Sequence, residues 1–169
     1  MQKEIIPDNE DGYDLNEYYK KALRICGELL SRRDYSERKL REKLTASGIP
    51  GEAVDMAIAE MIKARYLDDR RYTDSFVRAH LKDRSLARIK RDLYDLGISE
   101  EIVSDVLQER DDETLESGEL FQIRKYLEKK GCSSGPVSYE ESMKLMAALY
   151  RRGFRPELIR KALSDYTDC

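Results

Sequence analysis

No stretch of this chain approaches the roughly 20 consecutive apolar residues that a membrane-crossing helix needs. Its acidic start has no apolar segment behind it, so no signal peptide is expected. A single histidine, His80, rules out a multi-histidine metal site. The three cysteines, Cys26, Cys132 and Cys169, are scattered and lack ligand spacing. Odd, dispersed thiols fit a reduced, cytoplasmic setting. Four prolines and no long β-branched alternation leave little room for a sheet. Neither a phosphate-cradling glycine loop nor a dinucleotide turn is present, and no nucleophile–base set stands out. We therefore expect no catalytic activity, no cofactor and no metal.

What is present is a pattern that occurs three times. It reads Leu40-x-x-x-Leu44-x-x-x-Gly48-Ile49, then Ile89-x-x-x-Leu93-x-x-x-Gly97-Ile98, then Leu145-x-x-x-Leu149-x-x-x-Gly153-Phe154. The offsets are 49 and 56 residues, and Glu52, Glu101 and Glu157 coincide under them, as do Val54, Val103 and Ile159. Apolar residues four apart share a helical face. A glycine just past them suits the left-handed position beyond a helix end. The glutamate then falls in the first turn of the next helix, where the dipole favours negative charge. The expected fold is all-α: a tandem array of three three-helix repeats, elongated and curved.

The helices follow from caps and periodicity. Residues 1–14 read as a flexible acidic tail. Leu15, Tyr18, Tyr19, Ala22, Leu23, Cys26, Leu29 and Leu30 mark an amphipathic helix with Cys26 in the core. Ser36 caps a second helix to about Ser47, and residues 51–65 form a third with Val54, Ile58, Met61 and Ile62 inward. These make repeat 1, residues 15–67.

Repeat 2, residues 68–110, begins at Asp68 and Asp69, one capping and one favouring the first turn. Tyr72, Phe76, Ala79 and Leu81 carry that helix to about Asp83, and His80 reads as a satisfied, partly buried histidine. Ser85 and Ser99 cap the next two helices. Repeat 3, residues 111–169, starts with an acidic helix from about Asp112 to Lys130, bent or frayed at Gly118 because glycine weakens a helix by about 1 kcal/mol. A loop near residues 131–137 follows. Ser138 and Glu141 form a capping box, and Pro156 suits a first helical position.

The net charge of −3 conceals a segregation. Residues 1–14 sum to −4 and residues 96–120 to −8, which leaves +9 on the remainder. Basic residues gather on the middle helix of each repeat and at its end: Arg38, Lys39, Arg41 and Lys43; Arg88, Lys90 and Arg91; Arg151, Arg152, Arg155 and Arg160. Tyr35, Tyr72, Tyr94 and Tyr150 lie nearby. Arginine beside tyrosine serves phosphate contact and base stacking, or anchors a protein interface. Solvated helix faces are the plainer explanation of the same clusters.

Three segments resemble a known family. Leu30 through Leu44, with Arg33 and Tyr35, resembles the first block of RecX regulatory proteins. Tyr66-Leu67-Asp68-Asp69-Arg70-Arg71-Tyr72, with Phe76 and Arg78, resembles the family's central motif, and Tyr150-Arg151-Arg152-Gly153-Phe154 with Ile159 its closing one. Together they span about residues 18–166. Arg70 and Thr73 stand where the family often has an acidic residue and alanine. The resemblance implies a non-enzymatic regulator that binds the RecA filament and limits its growth, strand exchange, ATP hydrolysis and coprotease activity. Arg33, Tyr35, Arg38, Arg41, Lys43, Arg70, Arg78, Arg88, Lys90, Arg91, Arg151, Arg152 and Arg155 are the expected partner-binding residues. A monomer is expected. The alternative is a tandem helical module that binds DNA independently of RecA, through single- or double-stranded contacts kept weak by a pI near 5.5.

Overall fold

The structure is a computed structural model that describes residues 14–132 and 137–166. Among the described residues there are nine helices and no strand: α1 (Leu15–Leu30), α2 (Glu37–Ala46), α3 (Gly51–Lys63), α4 (Asp69–His80), α5 (Leu86–Asp95), α6 (Glu100–Gln108), α7 (Asp112–Lys129), α8 (Tyr139–Arg151) and α9 (Pro156–Leu163). The architecture is the expected all-α tandem repeat. Of the expected acidic tail, residues 1–14, only Asp14 is described, and it caps α1 by accepting from Glu17 N at 3.1 Å; residues 1–13 lie outside the described residues, as does most of the 131–137 loop.

The chain divides into two compact units. One takes the described residues up to Tyr72 together with Leu96–Ile98. The other takes Thr73–Asp95 and the described residues from Ser99 onward. In the first unit α1 packs on α3, and α2 lies against both. Leu15, Ala22, Cys26, Leu40, Leu44, Ile49, Ala53, Val54, Ala57, Ile58 and Leu67 make its core. In the second, α9 packs against α7 and α8 around Ile123, Leu127, Leu149, Phe154, Leu158, Ile159, Ala162 and Leu163.

The turn after α2 ends as the spacing predicts. Gly48 has φ +74°, and the Ile49 amide donates to the Leu44 carbonyl at 3.3 Å. The turn after α8 repeats it, with Phe154 donating to Leu149 at 3.3 Å. These reversed hydrogen bonds satisfy carbonyls that the helix end would leave open.

The cap serines do more than start their helices. Ser36 Oγ accepts from the Lys39 amide at 3.4 Å and donates to the Leu96 carbonyl at 2.7 Å. The adjacent Glu37 amide donates to Asp69 Oδ1 at 2.8 Å. The second unit repeats the arrangement at equivalent positions. Ser85 Oγ accepts from Arg88 N at 3.3 Å and donates to the Arg152 carbonyl at 2.7 Å. Leu86 N donates to Glu119 Oε1 at 3.3 Å. Each middle helix, α2 and α5, thus has its first amides closed by a carboxylate and its cap hydroxyl held by a carbonyl, all from residues far along the chain. Gly97 and Gly153 adjoin those carbonyls, and side-chain atoms of Arg38 and of Ala87 occupy the space where their Cβ would stand.

Asp68 caps α4 by accepting from Arg71 N at 2.9 Å, and Asp69 stands in its first turn as expected, while its carboxylate also accepts from Glu37 N of α2. Burial pushes the Asp69 carboxyl above its ordinary range, since desolvation outweighs the amide that it accepts from. Four local expectations need correction. Ile62 is 46% exposed, on the solvent side of the last turn of α3, while Met61 beside it packs against the core. The buried face of α4 carries Thr73 and Val77, while Ala79 is exposed. That helix ends at His80 rather than near Asp83, with turns following. Finally, α7 runs unbroken through Gly118, where a Cβ would come within 2.6 Å of Leu81 Cγ. The glycine admits a neighbour; it does not break the helix.

Candidate binding groove

The cap interlock of the second unit creates an open groove of about 850 Å³. The turn before α5 and its first turns supply Asp83, Arg84, Ser85, Ala87, Arg88 and Arg91. From α7 come Gln122 and Tyr126, and from the end of α8 and the turn beyond it Tyr150 to Pro156. Ser85 fixes this meeting through the Arg152 carbonyl. Gly153, at φ +83°, lets the turn reach Ala87, where a Cβ would stand only 2.9 Å from the alanine methyl. Beneath it lies Glu119, fully buried, which accepts from Leu86 N and from Arg155 Nε at 2.7 Å. A buried carboxylate needs such partners to stay charged.

The lining has six guanidiniums, and most are committed. Arg84 and Arg88 both pair with Asp92, at 2.7 and 2.8 Å. Arg155 pairs with Glu119 and lies 3.7 Å from Glu116. Arg152 donates to the Ala148 carbonyl at 2.9 Å, and its guanidinium sits 4.6 Å from the Tyr126 ring centre. Arg91 and Arg151 are exposed, and no ion pair holds either among the described residues. Two donors at the groove, Gln122 Nε2 and Arg155 Nη2, are buried without a hydrogen-bond acceptor. Buried donors are nearly always satisfied in native proteins, so these two call for an acceptor. The arrangement can take an anionic group.

Of the expected partner-binding residues, the groove brings together Arg88, Arg91, Arg151, Arg152 and Arg155. The others are dispersed. Arg33 stacks on Tyr35 at 4.6 Å. Arg38 pairs with Glu42 at 3.1 Å, and Arg41 with Glu37 at 2.7 Å and with Asp55. Arg78 pairs with Asp74. Lys43, Arg70 and Lys90 are exposed. Sequence reasoning missed Arg84, Gln122, Tyr126 and the buried Glu119. Only Arg84 carried a signal, since it directly precedes a recognised cap serine.

His80 is partly buried as expected, its ring packed on Phe76 with centroids 4.4 Å apart, but it is not satisfied: Nδ1, 3.5 Å from Asp83 Oδ1, has no hydrogen-bond partner among the described residues. No group of three or more metal-ligating side chains occurs among the described residues. No described helix is long and apolar enough to cross a membrane.

Comparison with known proteins bears on the whole length. Three family models match in order: RecX, first three-helix domain, over residues 19–61; second three-helix domain over 68–107; and third three-helix domain over 119–163. The chain is 32% identical over 139 residues to Regulatory protein RecX of Vibrio vulnificus, covering 82% of this chain and 88% of that protein. It is 31% identical over 147 residues to the Regulatory protein RecX of Trichlorobacter lovleyi, covering 85% and 91%. The fold is similar to the crystal structure of RecX from Lactobacillus salivarius, with TM-score 0.76, 19% identity, and 89% and 97% of the two chains covered.

Proposed function

The chain belongs to the RecX family of regulatory proteins, and from that premise we propose that it binds the filament of the RecA recombinase and restrains it. Filament growth, strand exchange, ATP hydrolysis and coprotease activity are the processes it limits. The observation that carries this reading is the ordered match of all three three-helix domains. A cationic groove supports it, because a regulator without chemistry of its own needs a charged, shaped surface for its partner. On this reading the chain acts as a cytoplasmic monomer.

The test is the single-stranded-DNA-dependent ATPase of the cognate RecA, titrated with this protein. Inhibition at substoichiometric amounts is expected, and it would favour action at growing filament ends. Unchanged ATPase and strand exchange at saturating amounts would overturn the reading.

A second reading, DNA binding without any recombinase, draws on Lys43, Lys90 and Arg91, which stand exposed on the middle helices α2 and α5. It predicts a gel shift whose affinity falls steeply with salt. Absence of a shift at low salt would remove it.

A further inference from the structure

Beside the groove runs an apolar stripe that none of the described residues covers. Tyr139, Met143 and Tyr150 are 79%, 47% and 64% exposed, and Ala147 between them is exposed too. All four lie on one face of α8, over a length of about 16 Å at helical rise. In a chain with 38% charged residues, a contiguous exposed apolar face marks an interaction surface. The stripe ends at Tyr150, which lines the groove, and Arg151 follows directly.

We propose that this stripe and the groove together dock an acidic amphipathic helix of a protein partner. Its apolar side would lie along Tyr139, Met143, Ala147 and Tyr150. Its carboxylates would meet Arg91 and Arg151, the two groove guanidiniums that no described ion pair, hydrogen bond or ring engages. Charge complementarity selects the sign of the partner. Two features select peptide over nucleic acid. First, Asp92, Glu116 and Glu119 already neutralise Arg84, Arg88 and Arg155, so the groove offers no row of unengaged cations for a phosphate track. Second, Met143 and Ala147 separate the Tyr139 and Tyr150 rings along α8 and give a phosphate backbone nothing to bind. The proposal rests on the filament-regulator reading only for the identity of the partner.

The test uses fluorescence anisotropy on the full chain with three labelled probes. One is an amphipathic peptide with Leu and Phe on one face and Asp and Glu on the other. The second replaces its acids with Asn and Gln, and the third is a short oligothymidylate. The acidic peptide is expected to bind at least about tenfold more tightly than its amide counterpart. Met143→Glu and Arg151→Glu should each weaken it by about tenfold or more, with unchanged helix content by circular dichroism.

Equal binding of the acidic and amide peptides, or no binding of either, would overturn the proposal. Oligothymidylate binding lost in Arg151→Glu but kept in Met143→Glu would assign the groove to nucleic acid instead. A dimer in sedimentation velocity that Met143→Glu dissolves would assign the stripe to a second copy of the chain. The two readings fail separately. ATPase inhibition that survives both substitutions removes the docking site and leaves the regulator. Peptide binding without any ATPase inhibition does the reverse.

Discussion

Gly48 and Gly97 close equivalent turns, and alanine at each should cost very different amounts. Both have left-handed backbones, φ +74° and +87°. An alanine there costs about 1–2 kcal/mol from its own Cβ. At Gly48 nothing lies within 4 Å of the added methyl, so the loss should stop there. At Gly97 the methyl would stand 2.3 Å from Arg38 Cδ and 2.6 Å from Arg38 Cβ. The Cδ can swing away at the expense of the exposed Glu42 ion pair, which contributes about 0–1 kcal/mol. The Cβ is fixed to the first turn of α2 and cannot. Either that turn or the glycine turn must move, which stretches the 2.7 Å bond from Ser36 to the Leu96 carbonyl. Overpacking adds about 1–3 kcal/mol, and the weakened hydrogen bond about 1 kcal/mol.

Gly97→Ala should therefore cost about 3–7 kcal/mol in total. Equilibrium urea unfolding followed by circular dichroism measures this. In thermal scans each 1 kcal/mol appears as about 2–4 °C for a chain of this size. Arg38→Gly removes the obstructing Cβ, so the double variant should be more stable than the sum of the singles by about 1–2 kcal/mol. Equal losses at Gly48 and Gly97, or strict additivity with Arg38→Gly, would refute the close-approach argument.

Other perturbations probe the buried carboxylates and the thiol. Glu119→Ala leaves the Leu86 amide unpartnered and Arg155 with only the longer Glu116 contact, and should cost about 3 kcal/mol, the low end for a broken buried pair because Arg155 is partly solvated; a loss below about 1 kcal/mol would show that water replaces the carboxylate. The folded-state pKa of Asp69 is raised, so the folded chain binds the proton more tightly than the unfolded one. Stability from this group is then present below the ordinary aspartate range and lost as pH rises through the raised value. Asp69→Asn keeps an acceptor for Glu37 N, so it should flatten the stability profile in that window and match or exceed the native chain at pH 7, whereas Asp69→Ala should not. Burial pushes the Cys26 thiol up to about 11, so alkylation at pH 8 should be slow in the native chain and rapid in urea, as read by peptide mass mapping.

Much of the fold was legible because its signals are local. Leu40, Leu44, Gly48 and Ile49 lie within one helix and its end, and their spacing alone implies the turn. Ser36, Ser85, Ser99 and Ser138 each cap an amide three residues on. What was hidden depends on partners far along the chain. Asp69 is the first-turn acid that it looks like, but the amide that it also accepts from lies 32 residues earlier. Glu119 is lost among solvated carboxylates of the acidic block, although it alone of them is fully buried. Gly118 reads as a breaker until Leu81 is placed against it. On α4 the large Tyr72 and Phe76 dominate the periodicity, yet they flank the buried face that the smaller Thr73 and Val77 occupy. The candidate site divides the same way. Clusters of arginine are visible in sequence, but only the structure separates Arg155, held by Glu119, from Arg151, which no carboxylate among the described residues holds.

The last middle helix departs from its two counterparts, and this affects how the array could be re-engineered. α8 has 13 residues where α2 and α5 have 10, and its extra turn lies at the N-terminal end. Its Ser138 cap is closed by Glu141 of the same helix. Where α2 and α5 borrow a distant carboxylate, α8 supplies its own. A designer grafting a fourth module behind it would find the docking hydroxyl, Ser138 Oγ, already donating to Glu141. Trimming α8 by one turn and replacing Glu141 would have to come first, while modules inserted between existing ones would inherit a ready seat.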